Sequence, residues 1–452
     1  MDSIVCQGCG ALAVMDESGV YRCPASADGQ DHVVARVLGY GLQFPRGGSQ
    51  NPFVRYRELT ASYVLARSRG LSDQAYVELV EELDGKVAAV DGRRFTITPF
   101  KRNDALSAEL GLTGTGGAWV KDETSNVAGS HKARHLMGLA ILGEVQARTG
   151  LVSRTGPRLA IASCGNAALA AAVVARAWGR PLDVFIPVDA NPTVVAALKE
   201  HGAHIQVCQR VAGIPGDPCY HAFHKAVSDD GAVPFCCQGP DNGLTIEGGE
   251  TLGFELVEAL LDQRVELDRL FVQVGGGALA SACFQGFEDA QRVGAELELP
   301  RLHCVQTQGA YPLRRAWERV ASALGVGAQA DTTRAEHLRG RATAAALRSL
   351  ASHRADFMWP WESEPHSIAH GILDDETYDW LALVRGTLES GGWPLVVSED
   401  RLAEAVELGR RATGIDVDAT GAAGLAGLLE LRAQGSLQPQ ERVAVLFTGA
   451  RR

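Results

Sequence analysis

The segment most informative about the fold is Leu270-Phe-Val-Gln-Val274-Gly275-Gly-Gly-Ala-Leu279. A short apolar run ends in three consecutive glycines, and an amphipathic segment follows them. This order predicts a buried strand, a tight loop and a helix. Because glycine tolerates positive φ, the loop can present converging N–H groups, and the helix start adds partial positive charge that favours a phosphate. A tight turn without any ligand explains the three glycines equally well.

Short apolar strands and helices alternate along the chain on both sides of this stretch. Such an alternation is typical of mostly parallel sheets covered by helices, so the expected fold class is α/β. We interpret residues 321–352, which are rich in Ala, Gly and Arg, as a helical insertion. The strands are predicted at 158–162, 183–187, 204–208, 270–274, 302–307 and 443–447, and the clearest helices at 167–178 and 193–201.

The overall composition is that of an ordinary globular protein. Of the 452 residues, 46% are apolar and 21% are charged, which suits a two-domain body. A net charge of −11 argues against a nucleic-acid partner, because phosphate binding needs a concentrated positive surface. The sequence has no run of twenty apolar residues, and its amino terminus does not resemble a secretory signal. We therefore expect a cytoplasmic protein with no membrane partner.

Three cysteines cluster near the amino terminus. Cys6-Gln-Gly-Cys9-Gly is a tight turn of the kind that presents two thiolates to a tetrahedral metal ion, and Cys23 follows a polar, hairpin-like stretch at 16–21. His32 is the nearest candidate for a fourth ligand. We expect a structural zinc site in a ribbon-like extension over residues 1–35; a metal-free hairpin with three inert thiols is the alternative. The remaining cysteines are interpreted mostly as buried apolar residues.

A second strand–loop–helix junction carries Ala162-Ser-Cys-Gly-Asn166-Ala. Ser163, Asn166 and the free N–H groups at the helix start suit a small carboxylate or a hydroxyl group. Ordinary capping of the helix by Ser163 or Asn166 explains the same residues, and for this junction alone it is the better explanation. In open parallel sheets, however, ligands bind where loops follow the carboxyl ends of strands, and both junctions occupy such positions.

The third candidate is Gly129-Ser-His-Lys132, which opens an amphipathic helix. The pattern predicts Ser130 as the helix cap and Lys132 in the first turn. A lysine is unfavourable there because the helix start is positive, and this field favours the neutral amine that imine chemistry requires. An exposed surface lysine is the commoner case. The predicted buried face of the helix consists of Leu136, Met137, Ala140, Ile141 and Val145.

Together these motifs resemble those of the fold-type II enzymes that use pyridoxal 5′-phosphate (PLP), which include threonine synthases, serine and threonine dehydratases and tryptophan synthase β chains. Residues 121–134 are similar to the threonine synthase segment K-D-E-x-x-N-P-T-G-S-F-K-D-R, and residues 163–168 to S-S-G-N-A-A. Similarities to dehydratases follow at 246–251, 275–279 and 367–371. Residues 448–449 and the C-x-x-C-G start again resemble threonine synthases.

The resemblance implies a role for each motif. Lys132 is expected to hold PLP as an imine and to take the Cα proton, Asn166 to bond the ring hydroxyl, and Thr448 to face the pyridine nitrogen. A neutral hydroxyl does not force protonation of that nitrogen, which favours loss of a group from Cβ over transamination. The substrate carboxylate is expected at Ser163, Cys164, Gly165, Asn166 and Ala167, and the phosphate at Gly275, Gly276, Gly277, Ala278 and Leu279.

The chain departs from these families at several positions. His131 stands where threonine synthases and dehydratases have Phe, and contact with the cofactor phosphate and simple packing are equally good interpretations of it. Ala133 and His135 replace an acidic residue and a glycine, and Val127-Ala128 replaces Pro-Thr. These changes weaken the case for a phosphorylated substrate. Gly248-Gly249-Glu250 in place of G-Q-G weakens a simple dehydratase assignment.

The resemblance implies two doubly wound, parallel-type sheet domains with the cofactor in the cleft. We place the large PLP-binding domain at 36–132 and 210–452, and the small domain at 133–209. The expected activity is α,β-elimination on a small hydroxy- or substituted amino acid. The alternatives are threonine synthase-like elimination and replacement on a phosphorylated or β-substituted amino acid, and a non-catalytic regulator that binds PLP or an amino acid. A homodimer is expected.

Overall fold

The computed structural model describes residues 3–14, 21–27, 29–39, 41–211, 213–214, 216–327, 330–339, 341 and 343–451. Its strands form a three-stranded antiparallel ribbon, a six-stranded sheet and a four-stranded sheet. In chain order the strands are β1 Ser3–Cys6, β2 Leu12–Ala13, β3 Val34–Val37, β4 Phe100–Asn103, β5 Gly117–Asp122, β6 Leu159–Ala162, β7 Leu182–Pro187, β8 His204–Cys208, β9 Val233–Pro234, β10 Arg269–Gln273, β11 Arg301–Thr307, β12 Leu395–Val397 and β13 Arg442–Phe447.

Helices separate most of these strands along the chain. The strands and helices predicted from the sequence are confirmed, with bounds that differ by no more than one residue, and the insertion at 321–352 is helical. In chain order the helices are α1 Pro52–Arg55, α2 Ala61–Ser68, α3 Asp73–Asp91, α4 Asp104–Glu109, α5 Lys132–Arg148, α6 Asn166–Trp178, α7 Pro192–Glu200, α8 Pro218–Ser228, α9 Thr245–Gln263, α10 Ala278–Arg292, α11 Pro312–Ala323, α12 Asp331–Leu338, α13 Ala344–Ala351, α14 Trp380–Ser390, α15 Glu399–Thr413 and α16 Ala419–Ala433.

The six-stranded sheet has the order β12-β11-β10-β13-β5-β4. All neighbouring strands are parallel except the edge pair of β4 and β5. Every residue of the inner strand β10 is buried, as expected for a parallel strand covered on both faces. Because β10 and β13 are parallel neighbours, the loops that follow them, at 274–277 and from 448 onward, leave the same edge of the sheet.

The four-stranded sheet has the order β8-β7-β6-β9, and all its strands are parallel. The loops after β6, β7 and β8 therefore lie along one edge. Strand β9 pairs with β6, so this sheet extends to residue 234, beyond the small domain predicted for 133–209. The α/β class with two mainly parallel sheets is confirmed.

Helices α5 and α9 cross with their backbones in contact. A Cβ atom on Gly138 would lie 2.8 Å from the Cα atom of Gly248, and a Cβ atom on Gly248 would lie 2.3 Å from the carbonyl oxygen of Arg134. Both positions therefore require glycine. The Gly248-Gly249 pair, which departs from the dehydratase pattern, thus allows α9 to approach the helix that begins with Lys132.

The amino-terminal ribbon docks on the loop before α9. The backbone N–H of Gly243 donates to the carbonyl of Tyr21 (3.0 Å), and the Arg22 guanidinium pairs with Asp241 (3.1 Å). The hairpin-like stretch predicted for 16–21 lies, except for Tyr21, outside the described residues. Among the helices that the structure describes, none combines the length and the apolar character needed to cross a lipid bilayer.

Candidate active site

Lys132 is the first residue of α5 and is half-buried. The prediction of Ser130 as the helix cap is wrong, because His131 occupies the N-cap position and makes no side-chain cap. Ser130 is extended, and its backbone pairs with Gly449 just beyond β13. Its hydroxyl is buried and has no hydrogen-bond partner in the part of the chain that the structure describes. The first turn of α5 therefore has no side-chain cap, and the Lys132 amine belongs to a positive helix end.

A buried ionic network lies beneath the first turn of α5. The Arg134 guanidinium donates to Glu123 (Nε to Oε2, 2.8 Å) and to Glu255 (Nη1 to Oε1, 2.6 Å). The Lys121 ammonium completes the network on the other oxygen of Glu255 (2.5 Å). Burial alone would raise the pKa of Glu123, but the charge of Arg134 outweighs it, and the pKa lies below its usual value. The network anchors α5 two residues from Lys132.

Sequence reasoning missed Glu255. It lies within α9 and reaches the 121–134 segment only through the crossing of α5 and α9. The signal that could have found it is charge balance, since the 121–134 segment carries two acidic groups against several cations and Arg134 is fully buried.

Two buried histidines flank Lys132. The Nδ1 atom of His131 faces the carbonyl oxygen of Thr448 (3.4 Å), and that of His135 faces the carbonyl oxygen of Thr245 (2.8 Å). A carbonyl only accepts, so each Nδ1 carries the proton. Burial, followed by the charge of Lys132, lowers the pKa of His135 to about 3 and that of His131 well below its usual value. Both rings are therefore neutral near pH 7, and each Nε2 is an acceptor.

Neither Nε2 atom has a hydrogen-bond partner among the described residues. As an acceptor, the Nε2 atom of His131 does not donate to a phosphate in this state, which favours packing over phosphate contact. His135 also explains a second glycine of α9, because a Cβ atom on Gly249 would lie 2.2 Å from the Cε1 atom of His135.

The glycine turn that follows β10 is packed too closely for side chains. A Cβ atom on Gly275 would lie 2.3 Å from the Oδ2 atom of Asp374, and one on Gly276 would lie 2.8 Å from the ring of Tyr378. Gly277 has φ +102°, a conformation that favours glycine, and the next residue, Ala278, begins α10. The turn therefore combines close approach with a helix start, as the sequence predicted.

Asp374 brings its carboxyl group to this turn, and Asp379 contacts the turn through its backbone. The Asp379 N–H donates to the carbonyl oxygen of Gly276 (2.9 Å). Burial is the main cause that raises the pKa of Asp374 to about 6 and that of Asp379 to about 8, and the positive charge of Lys132 acts in the opposite direction on both. The charge of Lys132 therefore acts on the acidic residues that surround the glycine turn.

The Ser163–Ala167 loop leaves the four-stranded sheet at the carboxyl end of β6. Gly165 occupies the N-cap position of α6, so the predicted capping by Ser163 or Asn166 is not observed. The Ser163 hydroxyl instead accepts the N–H of Gly165 (3.4 Å). Burial and then Asp217, Asp189 and Asp374 raise the pKa of the Cys164 thiol. Asp374, whose carboxyl group also contacts Gly275, is therefore among the charges that act on this loop.

Thr448 follows β13 and is buried. Its Oγ1 atom accepts a hydrogen bond from the side-chain amide of Gln273, the last residue of β10. Sequence reasoning missed Gln273, although a polar residue at the end of a buried apolar strand is a signal that could have marked it. Since the Thr448 oxygen receives this bond, its own proton is free to donate elsewhere.

The four candidate metal ligands of the ribbon also meet. Their ligand atoms all lie within 4.8 Å of one another. The Cys6 Sγ atom lies 3.4 Å from the Nδ1 atom of His32, and the Cys9 Sγ atom lies 3.6 Å from that of Cys23. The Nε2 atom of His32 faces the side-chain oxygen of Gln30 (2.9 Å), to which it donates. The lone pair of Nδ1 is thereby directed to the thiols, as a metal site requires.

Comparisons with known proteins agree with this architecture. Threonine synthase of Methanosarcina acetivorans is 26% identical over 362 residues, which cover 78% of this chain and 74% of that protein. L-serine dehydratase of Saccharomyces cerevisiae is 29% identical over 175 residues, which cover 38% of this chain and 51% of that protein. The structure of maize serine racemase aligns with a TM-score of 0.56 at 19% identity, over 83% of this chain and 93% of that one, and shows the same fold.

A match to a whole family also covers most of the chain. Residues 94–449 match the family described as pyridoxal-phosphate dependent enzyme, and this range includes Lys132, the glycine turn and Thr448. The chain belongs to the family of pyridoxal-phosphate dependent enzymes.

Proposed function

We propose that this enzyme is a PLP-dependent lyase that catalyses α,β-elimination on a small hydroxy- or substituted amino acid. The observation that carries the proposal is the position of Lys132. Its helix start is joined to the end of β13 by the Ser130–Gly449 pair, and its charge acts on both aspartates at the glycine turn. The similarity to serine dehydratase and threonine synthase supports an amino acid substrate.

The residues of the cleft fit the cofactor. The buried Ser130 hydroxyl without a partner next to Lys132, and the glycine turn at the start of α10, are features that a polar, phosphate-bearing ligand satisfies. Lys132 would hold the cofactor covalently through Nζ, with Gly275–Leu279 at its phosphate, Asn166 at its ring hydroxyl and Thr448 at its ring nitrogen. The bound cofactor supplies an electron sink for the electron pair released at Cα.

Thr448 and Gln273 together set the character of the ring-nitrogen site. Because Gln273 donates to the Thr448 oxygen, the hydroxyl proton is available for a ring nitrogen that has a lone pair. A neutral donor of this kind does not bring a proton to the nitrogen as a carboxylic acid would. The arrangement supports elimination over transamination, because less of the negative charge at Cα passes into the ring.

Lys132 would also move the proton. Once the substrate amine has displaced it from the cofactor, its Nζ atom would take the proton from Cα of the substrate. The bond between Cβ and the leaving group would then break, and the leaving group would depart with the electron pair. His131 and His135 are neutral, so neither adds a second positive charge beside this amine. The uncapped N–H groups at the start of α6, in the Ser163–Ala167 loop, would hold the substrate carboxylate.

Borohydride trapping followed by peptide mapping tests the attachment site. We expect the reduced cofactor on Lys132 in the parent enzyme and no adduct in Lys132→Ala, whereas Lys101→Ala, which changes an exposed lysine, retains it. A panel of serine, threonine, β-chloro-L-alanine and O-phosphohomoserine, followed by keto-acid and ammonia release, then tests the reaction. Trapping at another lysine, or no release from any of these substrates, would contradict the proposal.

Threonine synthase-like chemistry is the second candidate, because the relative with the broader coverage is a threonine synthase. It would replace the leaving group on a phosphorylated or β-substituted amino acid. In the same panel it predicts turnover of O-phosphohomoserine with a new amino acid as product. Keto acid and ammonia from the unphosphorylated substrates would instead favour elimination.

We also propose that Cys6, Cys9, Cys23 and His32 bind one structural zinc ion. Three thiols and an imidazole at these separations match a closed tetrahedral site, and the tautomer of His32 suits it. Metal analysis of the intact chain should give one zinc per chain, with Cys9→Ser losing it and Cys208→Ser, outside the cluster, retaining it. A folded chain without zinc would contradict this proposal. A homodimer and a cytoplasmic location stay predictions; sedimentation of the purified enzyme measures the first.

A further inference from the structure

The carboxyl edge of the four-stranded sheet, here called the cleft wall, carries negatively charged side chains. Asp189 lies just after β7, and Asp217 is the N-cap of α8 in the connection that follows β8. Both therefore belong to the edge of the sheet from which the Ser163–Ala167 loop also leaves. Asp189, Asp217 and Asp374 form no ion pair among the residues that the structure describes.

The negative charges of this wall affect the pKa of the Cys164 thiol. Its side chain is accessible to solvent, yet burial is the largest cause of its raised pKa, so it lies in a concave part of the surface. The three strongest charges that act on it are the carboxylates of Asp217, Asp189 and Asp374. Cys164 belongs to the loop that would hold the substrate carboxylate, so these charges act where the substrate binds.

An arginine that follows β8 is already engaged. The guanidinium of Arg210 lies 3.5 Å from the Oδ2 atom of Asp375. It also donates to the carbonyl oxygen of Gly216 (3.3 Å). Arg210 therefore offsets Asp375 and leaves the charges of Asp189 and Asp217 in place.

A separate observation marks the cleft as a ligand site. The Oγ atom of Ser130 and the Nε2 atom of His131, in the two residues before Lys132, are buried and have no hydrogen-bond partner among the described residues. Unpartnered buried polar atoms are rare, and they indicate a ligand that is polar and enters as far as Lys132.

We propose that the preferred substrate is an amino acid whose Cβ substituent is cationic, an ammonium or substituted ammonium group; this inference rests on the proposed function. A substrate carboxylate held by the Ser163–Ala167 loop adds negative charge beside Asp189 and Asp217. A positive group on Cβ offsets that charge, a hydroxyl group does not, and a phosphate group makes the repulsion worse. The negative charge of the wall therefore favours a substrate with a positive Cβ substituent over one with a neutral or negative substituent.

The same carboxylates suit the chemistry of such a leaving group. A carboxylate next to an amine keeps the amine protonated, and an ammonium group leaves as neutral ammonia whereas an amine does not leave readily. Lys132 Nζ takes the Cα proton, a double bond forms between Cα and Cβ, and the Cβ–N bond breaks with its electron pair passing to nitrogen. Water then hydrolyses the released enamine, so one diamino acid and one water give one 2-oxo acid and two ammonia.

The PLP-loaded enzyme and four substrates test the inference. L-2,3-diaminopropionate carries the cation, L-serine is neutral, O-phospho-L-serine is anionic, and β-chloro-L-alanine is neutral with a good leaving group. We expect kcat/KM for 2-oxo acid release to be at least about 100-fold higher for diaminopropionate than for serine, and lowest for phosphoserine. A kcat/KM for serine equal to that for diaminopropionate overturns the inference.

Variants in which an aspartate is replaced by asparagine test whether Asp189 and Asp217 cause the charge preference. Asp189→Asn and Asp217→Asn should each lower the ratio of kcat/KM for diaminopropionate to that for β-chloroalanine by about tenfold. Asparagine still caps α8, so Asp217→Asn retains the helix start. Asp230→Asn, an exposed residue just beyond the carboxyl end of α8, is the matched control and should leave the ratio unchanged. An unchanged ratio in both cleft variants overturns the assignment.

A binding measurement separates failure of the inference from failure of the proposed function. Titration of the cofactor absorption with L-2,4-diaminobutyrate and L-2-aminobutyrate compares two ligands that differ by an ammonium group. We expect the diamino acid to bind at least about tenfold more tightly. Equal affinities together with turnover of β-chloroalanine overturn the inference and leave elimination intact. If none of the four substrates turns over, the proposed function fails, and the two affinities still decide the charge preference.

Discussion

The side-chain amide of Gln273 donates a hydrogen bond to the Oγ1 atom of Thr448. The same amide nitrogen also faces the carbonyl oxygens of Leu446 (3.2 Å) and Gly421 (3.1 Å), so β13 and α16 orient it. Gln273, the last residue of β10, thereby makes the Oγ1 atom of Thr448 a hydrogen-bond acceptor. Thr448 follows the neighbouring strand β13. This relationship turns Thr448 into a donor towards the cleft.

We expect Gln273→Glu to reverse that polarity. A carboxylate at this position accepts the Thr448 proton, so the hydroxyl no longer donates to the ring nitrogen, and kcat should fall about tenfold or more. The absorption of the bound cofactor against pH measures the change at the ring. Thr448→Ser keeps the hydroxyl and is the control, and circular dichroism checks that both variants fold. A cofactor spectrum that is the same in Gln273→Glu and the parent would contradict the assignment.

Asp379 makes the stability of the fold depend on pH. Burial raises its pKa to about 8, whereas the carboxyl of an unfolded chain titrates near 3.8. Unfolding therefore releases a proton between these values, and the free energy of unfolding falls as pH rises from about 4 to about 8. Asp379→Asn removes this contribution and should be more stable than the parent at pH 8, with the difference shrinking towards pH 4.

Urea unfolding at several pH values between 4 and 8 measures this difference. Glu298→Gln, which changes an exposed carboxyl, should follow the parent at each pH. Parallel stability curves for Asp379→Asn and the parent would show that Asp379 is not the group concerned.

The carboxylate of Asp374 should weaken the binding of a phosphate group at the glycine turn. Its carboxylate contacts Gly275 in the turn that is expected to receive the cofactor phosphate, and like charges repel. Asp374→Asn should therefore bind PLP about tenfold more tightly at pH 8, where the parent carboxyl, with a pKa of about 6, is charged. Below pH 6 both proteins are neutral at this position, so their dissociation constants should converge. Fluorescence titration of the cofactor-free proteins measures both constants.

Glu255 is the carboxylate that Arg134 and Lys121 share. Glu255→Gln leaves two buried cations with one partner fewer, and such a loss costs about 3–5 kcal/mol in the free energy of unfolding. Arg148→Gln removes two partly exposed ion pairs, with Glu144 and Glu82, and should cost no more than about 1 kcal/mol. Equal losses in the two variants would refute the structural importance of the network.

Gly243→Ala should loosen the ribbon. A Cβ atom at this position would lie 2.1 Å from the carbonyl oxygen of Val34, and this clash should cost about 1–3 kcal/mol in the free energy of unfolding. Gly327→Ala is the control, since nothing lies within 4 Å of a Cβ atom there. Proteolysis of the first residues measures the docking directly. A ribbon as resistant in Gly243→Ala as in the parent would contradict this account.

Local pattern was sufficient to predict most of the fold. The apolar strands, the glycine turn and Lys132 at the start of α5 are all determined by residues within a few positions of each other. The cap of α5 was predicted wrongly for a local reason that the pattern does not encode. Ala128 adopts φ +53°, and the chain then continues extended through Ser130 into its pair with Gly449.

The residues that sequence reasoning missed in the site all come from distant parts of the chain. Asp374 and Asp379 reach the glycine turn only because the segment before α14 packs over it, and Gln273 acquires its role through the pairing of β10 with β13. No periodicity marks such contacts, since they arise from tertiary packing. An acidic run directly after the 367–371 motif was the one local signal that could have indicated the carboxylates.

The contacts of the ribbon limit how far this chain can be shortened from its amino terminus. A shortened version that begins at residue 36 would lose the Tyr21 carbonyl that accepts from Gly243 and the Arg22 cation that offsets Asp241. Both lost contacts are made to the segment between Cys237 and the start of α9. The positive charge of Lys132 acts on the thiol of Cys237. Trimming designed to ease expression or crystallisation should therefore spare the ribbon, whose described residues contact the loop before α9.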